Sequence, residues 1–414
     1  MVSAMGDTTD LLVAALEAAA RGDEQAACEM IRRLERDTAA VLRDFFGLGA
    51  PQVQHEVQAN FEELDRMARA VAVLRSFPAA GRDHFLAHGE RIAAAVVARA
   101  LAARGLPALA MDSREIMITD DRFGRARPDE AEIQARARER LLPACARGEI
   151  PVAGGFIGST RRGETTTLGR GGSDWSAAIL GAVLGASAVE IWTDVDGMMT
   201  ADPRVVPQAR VIETLSVDEA SELAYFGARV LHPLTLAPAV EEGIPVRIRN
   251  SRRPDLAGTE VRSAASPEFS GVRSIAYKKG ISTVNVVTSH MLMASGFLRT
   301  LFEVFAEHET PVDMVTTSEV SVSVTVDDTS RLEQIQRELE RLAQVEIAGG
   351  RAIVCLVGQD LKFQPGIAAR IFRAVERINV LMISQGASRR NVSFVVEEKD
   401  VEEAVRLLHQ EFFG

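Results

Sequence analysis

The stretch Gly169 to Gly185, GRGGSDWSAAILGAVLG, constrains the fold more than any other. Glycines and one arginine run straight into an apolar helical pattern, so a tight turn has to open onto a helix N-terminus. Unpaired backbone N–H groups point outward at such a junction and favour an anion. Ser173 stands where an N-cap is expected, and Asp174 falls in the first turn, where negative charge is favoured. Arg170 adds a planar guanidinium suited to a carboxylate or a phosphate. In isolation the same residues read more readily as a capped turn with a solvated arginine, so their surroundings decide.

Those surroundings are strands alternating with helices. A helix over Asp129 to Ala146 leads to a strand at Ile150 to Ala153 and a turn at Gly154 to Gly158. After the Ser173 helix comes a strand at Ala188 to Thr193, which ends in Asp194-Val195-Asp196-Gly197; Ala201-Asp202-Pro203-Arg204 follows. This order predicts an α/β domain with a mostly parallel sheet and helices on both faces. Ligands bind such sheets beyond the carboxyl ends of the strands. The glycine turn, Gly155 to Gly158 and Thr193-Asp194 all fall there and are expected to share one site. Asp194 and Asp196 read equally as groups near a metal-bound nucleotide and as turn residues.

The N-terminal part reads differently. Met1 to Ala4 has the pattern of the end of a buried strand, and Asp10 is a plausible cap for a helix over Leu11 to Ala20. Residues 24 to 76 are helical, broken only at Gly47 to Pro51, and 83 to 104 form another helix. Glu90 sits one turn from the start of the latter, in a place where most glutamates are solvated.

Length and charge bound the function. A chain of 414 residues implies two or three domains. A net charge of −11 argues against nucleic acid or an acidic membrane as a general partner. No apolar run reaches the length of a membrane span, and the N-terminus lacks a signal-peptide layout. Cys28, Cys145 and Cys355 are odd in number and far apart, as expected of reduced thiols in a cytoplasmic protein. Their spacing does not suit a metal, and no resident metal centre is expected.

Beyond a polar linker at 263–271 the periodicity changes. Strands, helices and the alternating VSVSVTV at Val320 to Val326 follow a β-α-β-β-α-β order, which then begins again at Ala352. The second copy lacks a final strand, and Val272 to Lys278 has no partner in the first. That segment is expected to complete the second sheet, so that the modules over 272–348 and 349–414 interlock.

The motifs GFIG, TTTLGRGGSD, WTDVDG, TADPR, FGARVLHP and TTSEVSV stand in the order and at the spacing of the aspartate kinases. The chain resembles that family over essentially its whole length. The resemblance implies a three-layer αβα amino-acid kinase domain over 1–262 followed by two ferredoxin-like ACT domains. It also implies transfer of the ATP γ-phosphoryl, with Mg²⁺, to the side-chain carboxylate of L-aspartate. That reaction is the first step of lysine, threonine and methionine biosynthesis. The attacking oxygen is ionised at neutral pH, so positioning and charge neutralisation carry the catalysis. By similarity Arg170 and Asp174 are catalytic, and Thr9, Glu90, Arg170, Gly171, Gly172 and Ser173 hold aspartate, Glu90 reading its ammonium. Thr193, Asp194, Met199, Arg204, Arg229 and Val230 would meet the nucleotide. Arg229 replaces a frequent lysine, and Met199 stands near a frequent aromatic. An effector, lysine or threonine, would bind Met291, Gly296, Phe297 and Leu298 on one side and Val312, Asp313, Thr317, Ser318 and Glu319 on the other. A homodimer through the ACT domains is implied as well.

The sequence departs from the family at its front. The family opens with a strand and a lysine–phenylalanine–glycine–glycine motif whose lysine contacts the transferred phosphoryl; this chain starts about 35 residues later in that layout. Loss of such a lysine would cost roughly 10²–10³ in rate. The alternative reading is therefore an amino-acid-sensing regulatory subunit of the same fold with weak or no activity.

Overall fold

A computed structural model describes residues 1–47, 51–226, 235–263, 270–288 and 296–414. It divides into two compact units, Met1–Ile191 with Leu234–Val246, and Trp192–Pro233 with Arg247–Gly414.

The first unit opens with helices α1 (Thr8–Ala20), α2 (Glu24–Phe46), α3 (Pro51–Leu74), α4 (Ala79–Leu86) and α5 (His88–Ala103). Their apolar faces make one core, in which Leu12, Ile31, Phe61, Leu64, Phe85 and Val96 are buried. Strand β1 (Ala108–Met111), strand β2 (Ile118–Thr119), helix α6 (Glu130–Ala146), strands β3 (Ile150–Ala153), β4 (Ile157–Thr160) and β5 (Thr165–Thr167), and helix α7 (Gly172–Leu184) follow. β1 pairs with β3 and β2 with β4, both parallel, while β5 returns antiparallel to β4. A second core beneath α6 and α7 joins Ile133, Leu141, Leu168 and Ile179.

Three local expectations are corrected. The first residues do pair in parallel with the end of β3 through Val2 and Gly154, but Met1 and Ser3 are exposed, so this is an edge rather than a buried strand. α1 starts at Thr8 after Asp7, not at Leu11 after Asp10, because Thr8 and Leu11 already donate their backbone N–H groups to Met5 and Asp7. The helix expected over 83–104 is two, α4 and α5, separated at Ala87.

Strand β6 (Val189–Thr193) leads on to β7 (Thr214–Ser216), α8 (Val217–Tyr225), α9 (Ala237–Glu241), β8 (Val246–Asn250) and β9 (Thr259–Arg262). The strands form a four-stranded sheet in the order β6-β8-β9-β7. A capping box of Ser216 and Glu219 starts α8.

The rest of the second unit is one six-stranded sheet with helices. Its elements are β10 (Gly271–Val287), α10 (Phe297–Glu307), β11 (Val315–Thr317), β12 (Ser321–Val326), α11 (Leu332–Leu339), β13 (Gln344–Gln359), α12 (Ile367–Ala374), β14 (Met382–Gln385), β15 (Asn391–Glu397) and α13 (Val401–Phe413). The strand order is β11-β12-β10-β13-β15-β14. β10 and β13 are long, antiparallel partners. The N-terminal part of β10, Gly271 to Lys278, lies opposite Ile353 to Gln359, and its C-terminal part, Thr283 to Val287, opposite Gln344 to Ala348. Gly280 and Gly350 take positive φ near the register shifts between these parts. Two cores follow, one of Val284, Val324, Leu301 and Ile335, the other of Val354, Phe394, Ile371 and Leu408.

Among the described residues no helix is long and apolar enough to cross a membrane. The three cysteines are free thiols, Cys28 and Cys355 buried and Cys145 exposed.

Candidate active site

In the first unit, glycines at the β3–β4 turn let a carboxylate and a helix N-terminus approach the same backbone. A Cβ on Gly154 would lie 2.8 Å from the Glu90 Cβ, and one on Gly155 would lie 2.6 Å from the Ser173 Cα. Only hydrogen fits at either place. Ser113, in the turn after β1, fixes this backbone by donating its hydroxyl to the Gly154 carbonyl.

Glu90 is only 3% exposed. Its Oε1 accepts the Ala4 N–H at 3.2 Å, whereas Oε2 is buried without a hydrogen-bond partner. Burial pushes its carboxyl up to about 7. An unpartnered buried carboxylate oxygen calls for a cation or a proton. Thr9 is half-buried in the first turn of α1, five residues beyond Ala4.

The α7 junction is built more tightly than its sequence suggests. Ser173 is not the N-cap; Gly171 is, in the left-handed region at φ 71°, with no side-chain cap. The left-handed turn starts the helix one residue after Gly171 and turns Ser173 onto Gly155. Phe156 also takes positive φ, 66°, a strain of roughly 1–3 kcal/mol for a non-glycine residue. Its N–H donates to Ser176 Oγ at 3.1 Å, and Ser176 in turn donates to the Gly172 carbonyl at 2.7 Å. A Cβ on Gly172 would meet Phe156 at 2.9 Å. Asp174 stands in the first turn of α7, and burial raises its carboxyl to about 6. Arg170 is exposed on the turn and has no ion-pair partner among the described residues.

Asp83 is a member of this architecture that the sequence did not mark. Its Oδ2 accepts the N–H groups of Gly124 and Thr167, each at 2.7 Å, and burial raises its carboxyl. It thereby ties the Asp121–Arg125 loop to β5, which feeds the Arg170 turn. Its partners lie 41 and 84 residues away, so no local pattern could reveal it.

The expected nucleotide residues belong to the second unit. Thr193 donates to Asp194 at 3.3 Å, and its carbonyl accepts the Ser251 N–H at 2.8 Å. Asp194 is otherwise open to solvent. Asp196 is taken up structurally by Asn250 at 2.7 Å and Arg253 at 2.6 Å. Met199 is half-buried, and its carbonyl accepts the Ser274 hydroxyl. Arg204 is 86% exposed while its guanidinium is forked onto Asp202, at 2.7 Å and 3.0 Å; Tyr277 donates to the same carboxylate at 3.1 Å. Arg229 and Val230 lie outside the described residues.

Of the expected effector residues, Met291 also lies outside the described residues. Gly296, at φ 99°, caps α10; Phe297 is half-buried and Leu298 exposed. Val312 is half-buried, while Thr317, Ser318 and Glu319 are exposed at the end of β11. Asp313 is nearly inaccessible: Oδ1 accepts from the Tyr225 hydroxyl at 2.8 Å and from Lys278 Nζ at 2.9 Å, and Oδ2 is buried without a hydrogen-bond partner. Lys278 also reaches Asp327 at 2.7 Å.

Known proteins match this chain throughout. The amino acid kinase family matches residues 1–250, and an ACT domain matches 284–333 and 354–412. The lysine-sensitive aspartokinase 3 of Escherichia coli is 39% identical, with 100% of this chain and 92% of that protein covered. A chloroplastic aspartokinase 1 of Arabidopsis thaliana is 34% identical over 100% of this chain and 74% of its own length. A solved structure of E. coli aspartokinase III in complex with aspartate and ADP superposes with a TM-score of 0.85 at 37% identity, covering 100% of this chain and 92% of that one. One in complex with lysine and aspartate gives the same TM-score at 38% identity, with the same coverage.

Proposed function

Since the chain belongs to the aspartokinases of the amino acid kinase family, we propose that Glu90, Arg170 and the α7 N-terminus hold L-aspartate while its side-chain carboxylate takes the γ-phosphoryl of ATP. A bond forms between that carboxylate oxygen and the γ-phosphorus, and the bond from phosphorus to the β,γ-bridging oxygen breaks. The products are 4-phospho-L-aspartate and ADP. The nucleophile is already ionised, so no residue needs to remove a proton. The protein's part is to orient and to neutralise.

The unpartnered Oε2 of Glu90 is the observation that carries this assignment. It sits beside the same glycine turn as Ser173, where an ammonium can replace its missing partner. Arg170, free on its turn, can take a carboxylate with two N–H groups. Thr9, Gly171 and Gly172 complete the aspartate contacts, and Asp174 orders them. Thr193, Asp194, Met199, Arg204, Arg229 and Val230 serve the nucleotide. Mg²⁺ fits the exposed carboxylate of Asp194, a hard oxygen donor whose only described partner is the Thr193 hydroxyl at 3.3 Å; bound with ATP, it would neutralise phosphate charge.

Amino-acid feedback acts through the ACT domains. Lysine or threonine is the effector, met by Gly296, Phe297 and Leu298 and by Val312, Asp313, Thr317, Ser318 and Glu319, with Met291 beside them. Side-by-side pairing of these domains gives a cytoplasmic homodimer.

Residues 1–277 contain no lysine, so the cations they bring to a phosphate are arginines. The second reading is a sensing subunit of low turnover. Aspartate-dependent ADP formation separates the two. Turnover that Glu90→Gln and Arg170→Ala suppress through the KM for aspartate supports catalysis. Absence of turnover here and in a form extended through any upstream reading frame sinks it.

A further inference from the structure

Three helices of the first unit bring together a ligand set that the sequence does not announce. Glu63 on α3, His84 on α4 and His88 at the start of α5 place one carboxylate oxygen and two ring nitrogens within 4.8 Å of one another. Glu63 Oε1 lies 2.7 Å from His84 Nε2, and Oε2 lies 3.3 Å from His88 Nε2. A tetrahedral zinc with bonds near 2.0 Å has ligand–ligand edges of about 3.3 Å, so these donors need little movement to share one ion.

The far sides of the rings point the same way. His88 Nδ1 lies 2.9 Å from the His84 carbonyl, and a carbonyl can only accept, so Nδ1 carries a hydrogen. That leaves Nε2 as the lone-pair nitrogen, aimed at a carboxylate oxygen. Two acceptors facing each other need a positive charge beside them, which Arg91 Nη1 supplies from 3.4 Å off His88 Nε2 and 3.9 Å off Glu63 Oε2, and which a metal ion between them would supply at closer range. His84 Nδ1 is held by Thr165 Oγ1 at 3.0 Å, fixing that ring as well. Imidazoles that bind metal through one nitrogen are oriented in this way through the other. His88 is buried, whereas His84 and Glu63 are about one-third exposed, so an ion can enter and a water can fill the fourth position. Arg91 lies 3.4 Å from His88 Nε2 and must turn outward; its side chain is 25% exposed already.

We propose that Glu63, His84 and His88 form a zinc site that staples α3 to the α4–α5 junction. It differs from the expectation of no metal centre because a pair of histidines four apart finds its third ligand more than twenty residues upstream. Its fit to two imidazoles and one carboxylate favours Zn²⁺ over Mg²⁺, which prefers oxygen donors.

The test uses the full chain, freed of metal by a chelator and carrying no histidine tag. Zn²⁺ is titrated against a chromophoric competitor, and Co²⁺ is added separately to read its tetrahedral visible absorption. One equivalent is expected to bind, with a rise in the unfolding temperature. Glu63→Gln and His84→Gln, both at partly exposed positions, should weaken binding at least tenfold while circular dichroism stays that of the parent. Failure of the parent to take up one saturable equivalent, or binding by both variants as tight as the parent's, overturns the proposal. The latter outcome would place the metal elsewhere, for example on the exposed Cys145.

Discussion

Gly154 packs on Glu90 with no room for a methyl group: a Cβ there would sit 2.8 Å from the Glu90 Cβ and 3.2 Å from its carbonyl. The glycine brings backbone against α5 at the root of the Glu90 side chain, which is only 3% exposed. Glu90 is therefore cut off from water, and its free oxygen awaits a ligand rather than solvent.

That burial makes aspartate recognition depend on pH. The folded pKa of Glu90 is raised to about 7, so the unliganded protein holds a proton there at acid pH. An arriving ammonium favours the ionised form and expels it. The KM for aspartate should fall as pH rises from 6 to 8, and the Glu90→Gln variant should lose that dependence along with most of its affinity. For unliganded stability, the raised pKa contributes fully below the unfolded value of 4.5, and its contribution is lost as pH rises through 7, by at most about 1.4 kcal/mol per pH unit. Urea unfolding at pH 5 and pH 8, in parent and variant, checks the sign. A KM that rises with pH in the parent would contradict this account.

Gly155→Ala should overpack the junction with Ser173. A Cβ 2.6 Å from a backbone carbon cannot be relieved by a rotamer change, so a stability loss of about 1–3 kcal/mol is expected. Activity should fall further than stability, because α7 has to move. Chemical unfolding with steady-state kinetics measures both; a variant equal to the parent in both would show that α7 yields freely.

Arg170→Ala should leave stability unchanged, since the side chain is exposed and unpaired. It should raise the KM for aspartate by roughly 10–100-fold, the scale of a lost charge-assisted hydrogen bond. Arg170→Lys should recover only part of this, because an ammonium cannot present the fork. Equal kinetics for lysine and arginine would exclude two-pronged recognition.

Tyr225→Phe removes one of the two donors on Asp313 Oδ1 and leaves Lys278 alone. A stability loss of about 1 kcal/mol is expected. The inhibitory concentration of the amino-acid effector should shift as well, because Asp313 is both the Tyr225 partner and an expected effector contact. Inhibition curves with lysine and threonine give the readout. An unchanged curve would separate this hydrogen bond from regulation.

Much of this was legible in the sequence, and the failures have physical reasons. The helices of residues 24–74, strands β3 and β6, and the repeated module followed from periodicity alone. Glu90 was legible as a residue type at a helix start, but its burial depends on a glycine 64 positions later. Ser173 looked like a cap because serine usually is one; a left-handed Gly171 replaced it. Asp83, Ser113 and the Glu63–His84–His88 cluster act through partners distant in sequence, which no local pattern encodes. The segment expected to end at Lys278 and the module boundary expected at 348/349 both fall inside continuous strands, β10 and β13, since Gly280 and Gly350 mimic turns there.

Those two continuous strands have a consequence for how such a chain can evolve. A tandem duplication ordinarily yields two parts, either of which can later be lost. Here each long strand serves one copy with its first half and the other with its second. Deleting the first copy with its leading segment strips a strand from the second, and deleting the second leaves Gly271 to Lys278 without its partner strand, so neither loss is clean. The pair is inherited, and shortened or swapped in engineering, as a single piece.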